Sequence, residues 1–425
     1  MNQPLVTVGF PVFNGEEYLK FALDSLLNQT YNNLEIIISD NASSDSTESI
    51  CREYVKKDKR IRYSRNLNNI GAARNFYTVL EQASGKYFMW AAHDDLWHPS
   101  YIEKCVCKLE ENPSYVLCLS NLIFIDKNGK EIGSFETIET KGKNISENFK
   151  RWMSRSGGYD FYGLYRKKSI ENMRIKESFG SDLIWVLELM LSGEFAKLDE
   201  SLFYYRVMPK SIVDYAEAIA SDTKGKLEIK TFPYCNLIRN IYRVIEDSKL
   251  DDNLKTDLAM DFLNVLINEN KPMLSEVIWE ILSVIGSGFE NEGHLKEFIY
   301  NIITTDYSIS EIQNNLQQKN TNITVKKRFV FIWGAGNAGR KMLSYLNEHN
   351  ISINGFIDSD LSKCGKDIEG TRIFSPEILD SDLKVAQKPF IFIASTYSDE
   401  IKTSLINREY VEFLDFSQAL MHRYI

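Results

Sequence analysis

Tyr87-Phe88-Met89-Trp90-Ala91-Ala92-His93-Asp94-Asp95 is an apolar run that ends on two adjacent carboxylates. The run predicts a buried strand. Carboxylates at a strand's carboxyl end are placed to hold a divalent cation. Mg²⁺ and Mn²⁺ take oxygen ligands and keep positions open for substrate phosphates, so the pair suggests a metal bridging protein to a diphosphate. Acidic residues also end strands with no metal nearby, so this reading needs support from the rest of the chain.

That support lies upstream. Pro4 to Phe13 reads as a strand broken at Pro11. Asn14-Gly15-Glu16-Glu17 then predicts a helix capped by Asn14 with a glutamate three positions on, and Leu19, Phe21, Ala22, Leu23, Leu26 and Leu27 supply its apolar face. A second strand, Leu34 to Ser39, delivers Asp40 to a loop rich in Asn, Ser and Asp, and Ile50, Tyr54 and Val55 mark another helix. Alternating strands and helices imply an α/β fold with a mostly parallel sheet. Ligands of such sheets collect at the carboxyl ends of the strands, where Pro11, Asp40 and Asp94-Asp95 all fall.

In order, PVFNGEEYLKFALDSLLNQTY, IIISDNASSDST, NIGAARN and the strand ending in HDD resemble the GT-A fold of the family-2 inverting glycosyltransferases, over about the first 210 residues. The resemblance implies transfer of one sugar from a nucleotide diphosphate sugar to a hydroxyl, with inversion at the anomeric carbon. It implies that Pro11, Phe13 and Asp40 border the nucleobase, with Asp40 accepting from a pyrimidine N–H, and that Arg74 contacts the nucleotide. Asp94 would meet the ribose, and Asp95 would bind Mn²⁺ or Mg²⁺ joined to the diphosphate. Read alone, Asp40 is equally an Asx-turn former and Arg74 a solvated helix residue.

The same resemblance places the catalytic base at the start of a helix, which Phe179-Gly180-Ser181-Asp182-Leu183-Ile184-Trp185 fits, making Asp182 the base. A helix N-terminus favours the charged carboxylate, so burial or nearby phosphates must offset it. Glu188 lies on another side of that helix. Related sequences often carry a metal-binding histidine two residues after a Tyr-Arg pair; here Met208 follows Tyr205-Arg206. A thioether is a poor ligand for these cations, so fewer protein groups would hold the metal. His93 is read as packing or hydrogen-bonding.

Acceptor recognition is less legible. Asp126-Lys127-Asn128-Gly129-Lys130 predicts a turn, residues 134 to 160 are polar and poorly periodic, and Phe161 to Tyr165 reads as a strand. Trp152, Tyr159 and Trp185 are acceptor candidates because aromatic rings pack on the C–H faces of sugars, with core packing the competing reading. Lys141, Lys143, Lys150, Arg151 and Arg155 form a basic patch suited to an anionic or lipid diphosphate acceptor, or to a solvated loop.

The 425 residues, 44% hydrophobic, allow two or three domains. The divisions expected are 1–212 for the GT-A domain, 213–325 for a helical middle domain and 326–425 for a small Rossmann-like α/β domain. A net charge of −9 argues against general nucleic-acid binding. No apolar run is long enough for a membrane span and no signal peptide is legible, so a cytoplasmic protein is expected, with peripheral contact at the inner membrane face and homo-oligomerisation open. Six cysteines without a CxxC pair read as reduced thiols; Cys105 and Cys107 point different ways on one helix.

In the middle segment, Leu227, Ile229, Phe232, Leu237, Ile238, Ile241, Tyr242, Ile245, Leu258, Phe262, Val265, Leu266, Val277, Ile278, Ile281, Leu282 and Ile285 recur at helical spacing up to Gly286-Ser287-Gly288. Near the carboxyl terminus, the strand Phe329 to Trp333 runs into Gly334-Ala335-Gly336-Asn337-Ala338-Gly339, and Asp358 ends the next strand, Ile353 to Ile357. This GxGxxG stands at a strand-to-helix junction, where glycines let backbone approach phosphate. It resembles the Rossmann-like modules of sugar-modifying proteins, including the nucleotide-sugar binding part of sugar acyltransferases. Pro389 to Ser395 and Val411 to Phe416 add strands. Gly334, Gly336, Gly339 and Asp358 are candidates for a second ligand site, taking a nucleotide or sugar; a structural or oligomerising role stays open. A complete NAD enzyme needs more chain and a catalytic group, so NAD is not expected.

The function expected is metal-assisted sugar transfer to a glycan or lipid-linked acceptor in bacterial surface polysaccharide synthesis, from a UDP- or dTDP-linked donor. The alternatives are a nucleotide-sugar binding scaffold with a decayed site, suggested by Met208, or a bifunctional protein whose carboxy-terminal domain modifies a sugar.

Overall fold

The computed structural model describes residues 3–142, 144–155, 158–176, 178–208, 233–269, 273, 277, 299, 329–348, 353–380, 389–394, 398–408, 410 and 416–418. Of these, 3–208 and 243–262 belong to one compact unit, and 233–242 and 263–418 to another.

In the first unit, β1 (Val6–Val12) is buried along its whole length, as suits a central strand covered on both faces. It runs parallel to β2 (Leu34–Asp40) and β4 (Tyr87–Trp90), and β3 (Ile61–Arg65) extends the parallel edge beside β2. Three crossover helices connect these strands: α1 (Leu19–Leu27), α2 (Thr47–Lys57) and α3 (Ala72–Glu81). α1 buries Leu19, Ala22, Leu23 and Leu26 at helical spacing and leaves Phe21 exposed. Gly9 lets α3 approach β1 closely, since a Cβ there would lie 2.7 Å from both Val79 and the Phe88 ring.

Past β4 come β5 (Leu96–Trp97), α4 (Tyr101–Glu111) and the hairpin of β6 (Tyr115–Ile125) with β7 (Glu131–Phe135). The hairpin turns at Gly129, whose φ of 84° favours glycine. α5 (Ile145–Arg155), a 3₁₀ turn (Gly158–Tyr162), β8 (Leu164–Arg166), α6 (Ser181–Met190) and β9 (Glu194–Arg206) complete the unit. The sheet order is β3-β2-β1-β4-β8-β6-β9-β5, with β7 on β6. β8 runs antiparallel to both neighbours, so the sheet is parallel on one side and mixed on the other.

Three local expectations are corrected. Asn14 does not cap α1: its φ is 49° and its Oδ1 accepts the Ser44 N–H, while the helix begins at Leu19. Long-range bonds between the two loops displace the local capping box, because Glu16 N–H also donates to Asp45 and the Ser46 N–H to Glu16. Residues 145–155 are the helix α5 rather than irregular chain; its inner face carries Asn148, a polar residue that breaks the apolar pattern. The strand expected from Phe161 starts at Leu164, after the 3₁₀ turn.

The helices α7 (Pro233–Glu246) and α8 (Asp252–Asn268) follow, burying among others Leu237, Ile238, Ile241, Leu258 and Phe262. The expectations at Leu227, Ile229, Phe232, Ile278, Ile281, Leu282, Ile285 and residues 286–288 lie outside the described residues, as do those for residues 411–415. No helix among the described residues is long and apolar enough to cross a membrane.

The second unit holds β10 (Val330–Trp333), α9 (Asn337–Glu348), β11 (Gly355–Ile357), β12 (Asp367–Ile368), β13 (Thr371–Phe374), β14 (Phe390–Ile393), α10 (Ser398–Asn407) and β15 (Phe416–Gln418). Its sheet order is β12-β13-β11-β10-β14-β15, parallel except where β12 meets β13. The first strand is central, and the chain moves outward from it on both sides.

Candidate active site

Parallel register puts Pro11 opposite Ser39 and Val12 opposite Asp40, so the break in β1 and the end of β2 meet at one edge of the sheet. Phe13, just past that edge, is 45% exposed. Asp40 is fully buried, and its oxygens already accept from the Ser43 N–H at 2.9 Å and the Tyr63 hydroxyl at 2.8 Å, with Arg65 Nε at 3.4 Å. It organises the loop that follows β2 rather than standing open. Asn41 ties the neighbouring loop down: its Oδ1 accepts from Ile70 N–H and its Nδ2 donates to Asn69 Oδ1. Arg74 does not join this network. It pairs with Glu81 at 3.5 Å, further along α3, and lies over the Tyr77 ring.

β4 delivers the HDD triplet. His93 packs against Gly15, where a Cβ would lie 2.9 Å from the imidazole ring, which gives that glycine its reason. Asp94 is half-buried and Asp95 is 1% exposed. The Arg206 backbone N–H donates to Asp95 Oδ1 at 2.8 Å, while the buried Oδ2 has no hydrogen-bond partner. Burial, then the charge of Asp94, pushes the Asp95 carboxyl well above the usual range. A buried carboxylate oxygen without a partner is costly unless a cation meets it, so the pair fits a metal. Among the described residues no cluster of three or more His, Cys, Asp or Glu side chains surrounds such an ion, and Met208 stands in the position expected of the histidine. The donor set is small and acidic, which suits a cation that keeps most positions for phosphate and water.

Arg206 locks this edge. Its guanidinium lies 4.4 Å from the centre of the Tyr18 ring, Nε donates to the Asp94 carbonyl at 2.8 Å, and Nη1 donates to the Asp126 carbonyl at 2.8 Å. Only the Tyr-Arg pair hinted at this role in the sequence.

Asp182 occupies the first turn of α6, and its Oδ1 accepts the Leu183 N–H. Burial raises its pKa, which makes it a stronger base than an exposed carboxylate. Its Oδ2 lies against Gly158, where a Cβ would be 1.8 Å away. Nothing in the sequence signals this contact. Tyr205, near the end of β9, feels both acidic groups: burial raises its phenol first, followed by the charges of Asp95, Tyr159, Asp94 and Asp182. Tyr159 meets Tyr205 edge-on at 4.8 Å and also packs against Phe124 and Phe135. Tyr159, Tyr205, Phe124 and Phe135 thus form one aromatic cluster, and the charges of all three carboxylates act on Tyr205.

The other acceptor candidates are corrected. Trp185 is 1% exposed and sits edge-on to Trp90 at 5.2 Å; Trp152 is 3% exposed on the inner face of α5. Neither shows a ring face to a ligand. Most of the basic patch serves the fold: Lys150 pairs with Asp261 at 2.8 Å, Arg151 and Arg155 donate to the Glu139 and Glu136 carbonyls, and Lys141 lies over Tyr115. Lys143 lies outside the described residues. Asp160 is buried with one oxygen unpartnered, and burial pushes its carboxyl up to about 7.

Residues 7–174 match the family model described as Glycosyl transferase family 2. The putative glycosyltransferase EpsH of Bacillus subtilis is 30% identical over 300 residues, which cover 67% of this chain and 83% of EpsH. The chain belongs to glycosyl transferase family 2. An uncharacterized glycosyltransferase of Rickettsia typhi, RT0329, is 25% identical to this transferase over 352 residues, 77% of this chain and 96% of that protein. The solved structure of S. aureus TarS 1–349 in complex with UDP-GlcNAc matches with a TM-score of 0.51 at 15% identity, over 74% of this chain and 91% of that one. The first unit of the transferase thus has the GT-A fold. A second family model, described as C2185-like, N-terminal, matches residues 325–412.

Proposed function

We propose that this glycosyltransferase moves a sugar from a nucleoside diphosphate sugar to a hydroxyl of a glycan or lipid-linked acceptor with inversion, in bacterial surface polysaccharide synthesis. The observation that carries this reading is the buried Oδ2 of Asp95, which has no hydrogen-bond partner and stands next to the second carboxylate of Asp94. Displacement with inversion needs leaving-group stabilisation on one side of the anomeric carbon and a base on the other. Asp95, with Asp94 beside it, would hold Mn²⁺ or Mg²⁺, which supplies neutralisation of charge on the departing diphosphate. Asp182 takes the proton of the acceptor hydroxyl; its raised pKa offsets the helix N-terminus that would weaken it. Pro11 and Phe13 wall the nucleobase, with Asp40 beneath them, and Tyr159 faces the acceptor. UDP-GlcNAc, present in the S. aureus TarS complex, is the first donor to try.

Asp182→Asn tests the assignment. It is expected to retain nucleotide affinity and lose roughly 10²-fold or more in turnover, measured as nucleoside diphosphate release. Wild-type turnover would place the base elsewhere.

A further inference from the structure

The glycine turn of the second unit is committed to its own fold. Gly334 has a φ of 118°, a Cβ at Gly339 would lie 1.8 Å from the Gly334 carbonyl oxygen, and Asp358 accepts from the Ala335 and Asp360 N–H groups and from Lys363 Nζ. Tyr205 in the first unit carries the opposite signature. Its ring is held by packing, while its hydroxyl has no hydrogen-bond partner among the described residues.

Two contacts place Tyr205 between the carboxylate that would meet the diphosphate and the candidate base. On one side, the next residue along β9, Arg206, donates its N–H to Asp95 Oδ1 at 2.8 Å. On the other, the Tyr205 ring meets Tyr159 edge-on at 4.8 Å, and Gly158, the residue before Tyr159, lies against Asp182 Oδ2. The structure thus leads from Asp95 through Arg206, Tyr205, Tyr159 and Gly158 to Asp182, and Tyr205 is the first ring after the Asp95 end. Displacement with inversion needs the anomeric carbon between leaving group and base, so the donor sugar has to occupy this interval.

The ring is fixed on its other sides as well. Phe124, its neighbour across the sheet, lies 6.2 Å away between ring centres, and Phe203 lies 6.3 Å away. Packing of this kind presents the hydroxyl at a defined point, and Tyr205 is only partly buried, so that point is open to a ligand. A tyrosine with an apolar body ordinarily finds a partner for its hydroxyl. A phenol of ordinary pKa about 10, raised further by burial, stays protonated at neutral pH and can donate to a sugar oxygen.

We propose that the Tyr205 hydroxyl donates a hydrogen bond to an oxygen of the transferred sugar, and so fixes the sugar of the donor, not its nucleotide, between Asp95 and Asp182. This assignment rests on the donor site proposed above and adds to it the residue that grips the sugar.

Calorimetric titration of UDP and of UDP-GlcNAc, each with Mn²⁺, into full-length wild type and Tyr205→Phe tests this. The substitution keeps the ring and removes only the hydroxyl. UDP lacks the sugar and is expected to bind both proteins equally, which also shows that the variant is folded. UDP-GlcNAc should bind the variant about tenfold more weakly, the loss of one hydrogen bond. Equal affinity of UDP-GlcNAc for the two proteins, a loss of UDP affinity as large as that of UDP-GlcNAc, or no binding of UDP-GlcNAc to a wild type that binds UDP would overturn the proposal while leaving the nucleotide site in place. No binding of UDP to wild type would overturn the donor site itself, and this assignment with it.

Discussion

Asp182 Oδ2 rests against Gly158 so closely that a Cβ at position 158 would lie 1.8 Å from it. The glycine is required by this neighbour, whose carboxylate leaves no room for a Cβ. Gly158→Ala must push the carboxylate aside while leaving the nucleotide edge untouched. Turnover is expected to fall by roughly 10²-fold, the cost of misplacing a reacting group by about 1 Å, with nucleotide affinity unchanged. Equal turnover in the two proteins would remove Asp182 from the reacting geometry.

The orphaned oxygen of Asp95 predicts opposite effects on stability and on metal binding. Because burial raises its folded pKa above 3.8, the penalty for its charge is absent in strong acid and grows as pH rises toward neutrality. Asp95→Asn keeps an oxygen for the Arg206 N–H and carries no charge. Its melting temperature without metal at pH 7 should therefore exceed wild type, by roughly 2–4 °C for each kcal/mol relieved, while the shift produced by Mn²⁺ disappears. An undiminished Mn²⁺ shift in this variant would mean that the cation binds elsewhere.

Asp160 gives a pH dependence of defined sign. Its folded pKa of about 7 lies above the ordinary 3.8, so the folded state holds the proton more tightly and stability falls as pH rises through that window. The whole difference is worth roughly 4 kcal/mol. Asp160→Asn should melt higher than wild type at pH 8 and lose the advantage near pH 3.5, as read by thermal unfolding across pH. A constant difference at all pH values would show that Asp160 does not titrate in this range.

The layout of the first unit was readable because its signals are local. β1 breaks at Pro11, Asp40 ends β2, the HDD triplet follows β4, and Asp182 stands in the first turn of α6. What escaped the sequence depends on partners far along the chain. Asn14 carries the pattern of a cap, yet its side chain is taken by Ser44 thirty residues away. α5 hides its amphipathic face behind Asn148, whose Nδ2 donates to the Thr140 carbonyl. Trp152 and Trp185 admit both a sugar-platform and a core reading because aromatic residues serve cores and sugars equally well; only packing separates the two, and it places both in the core. Arg206 and Gly158 shape the candidate site through contacts with residues 111 and 24 positions distant, Asp95 and Asp182, which no periodicity encodes.

The most direct measurement is calorimetric titration of UDP, dTDP and GDP into wild type and Asp95→Asn, each with and without Mn²⁺. The account predicts that one nucleotide binds wild type in a Mn²⁺-dependent manner and that its affinity falls by about tenfold or more in Asp95→Asn. Binding that is indifferent to both Mn²⁺ and Asp95, or no binding of any of the three, would contradict it.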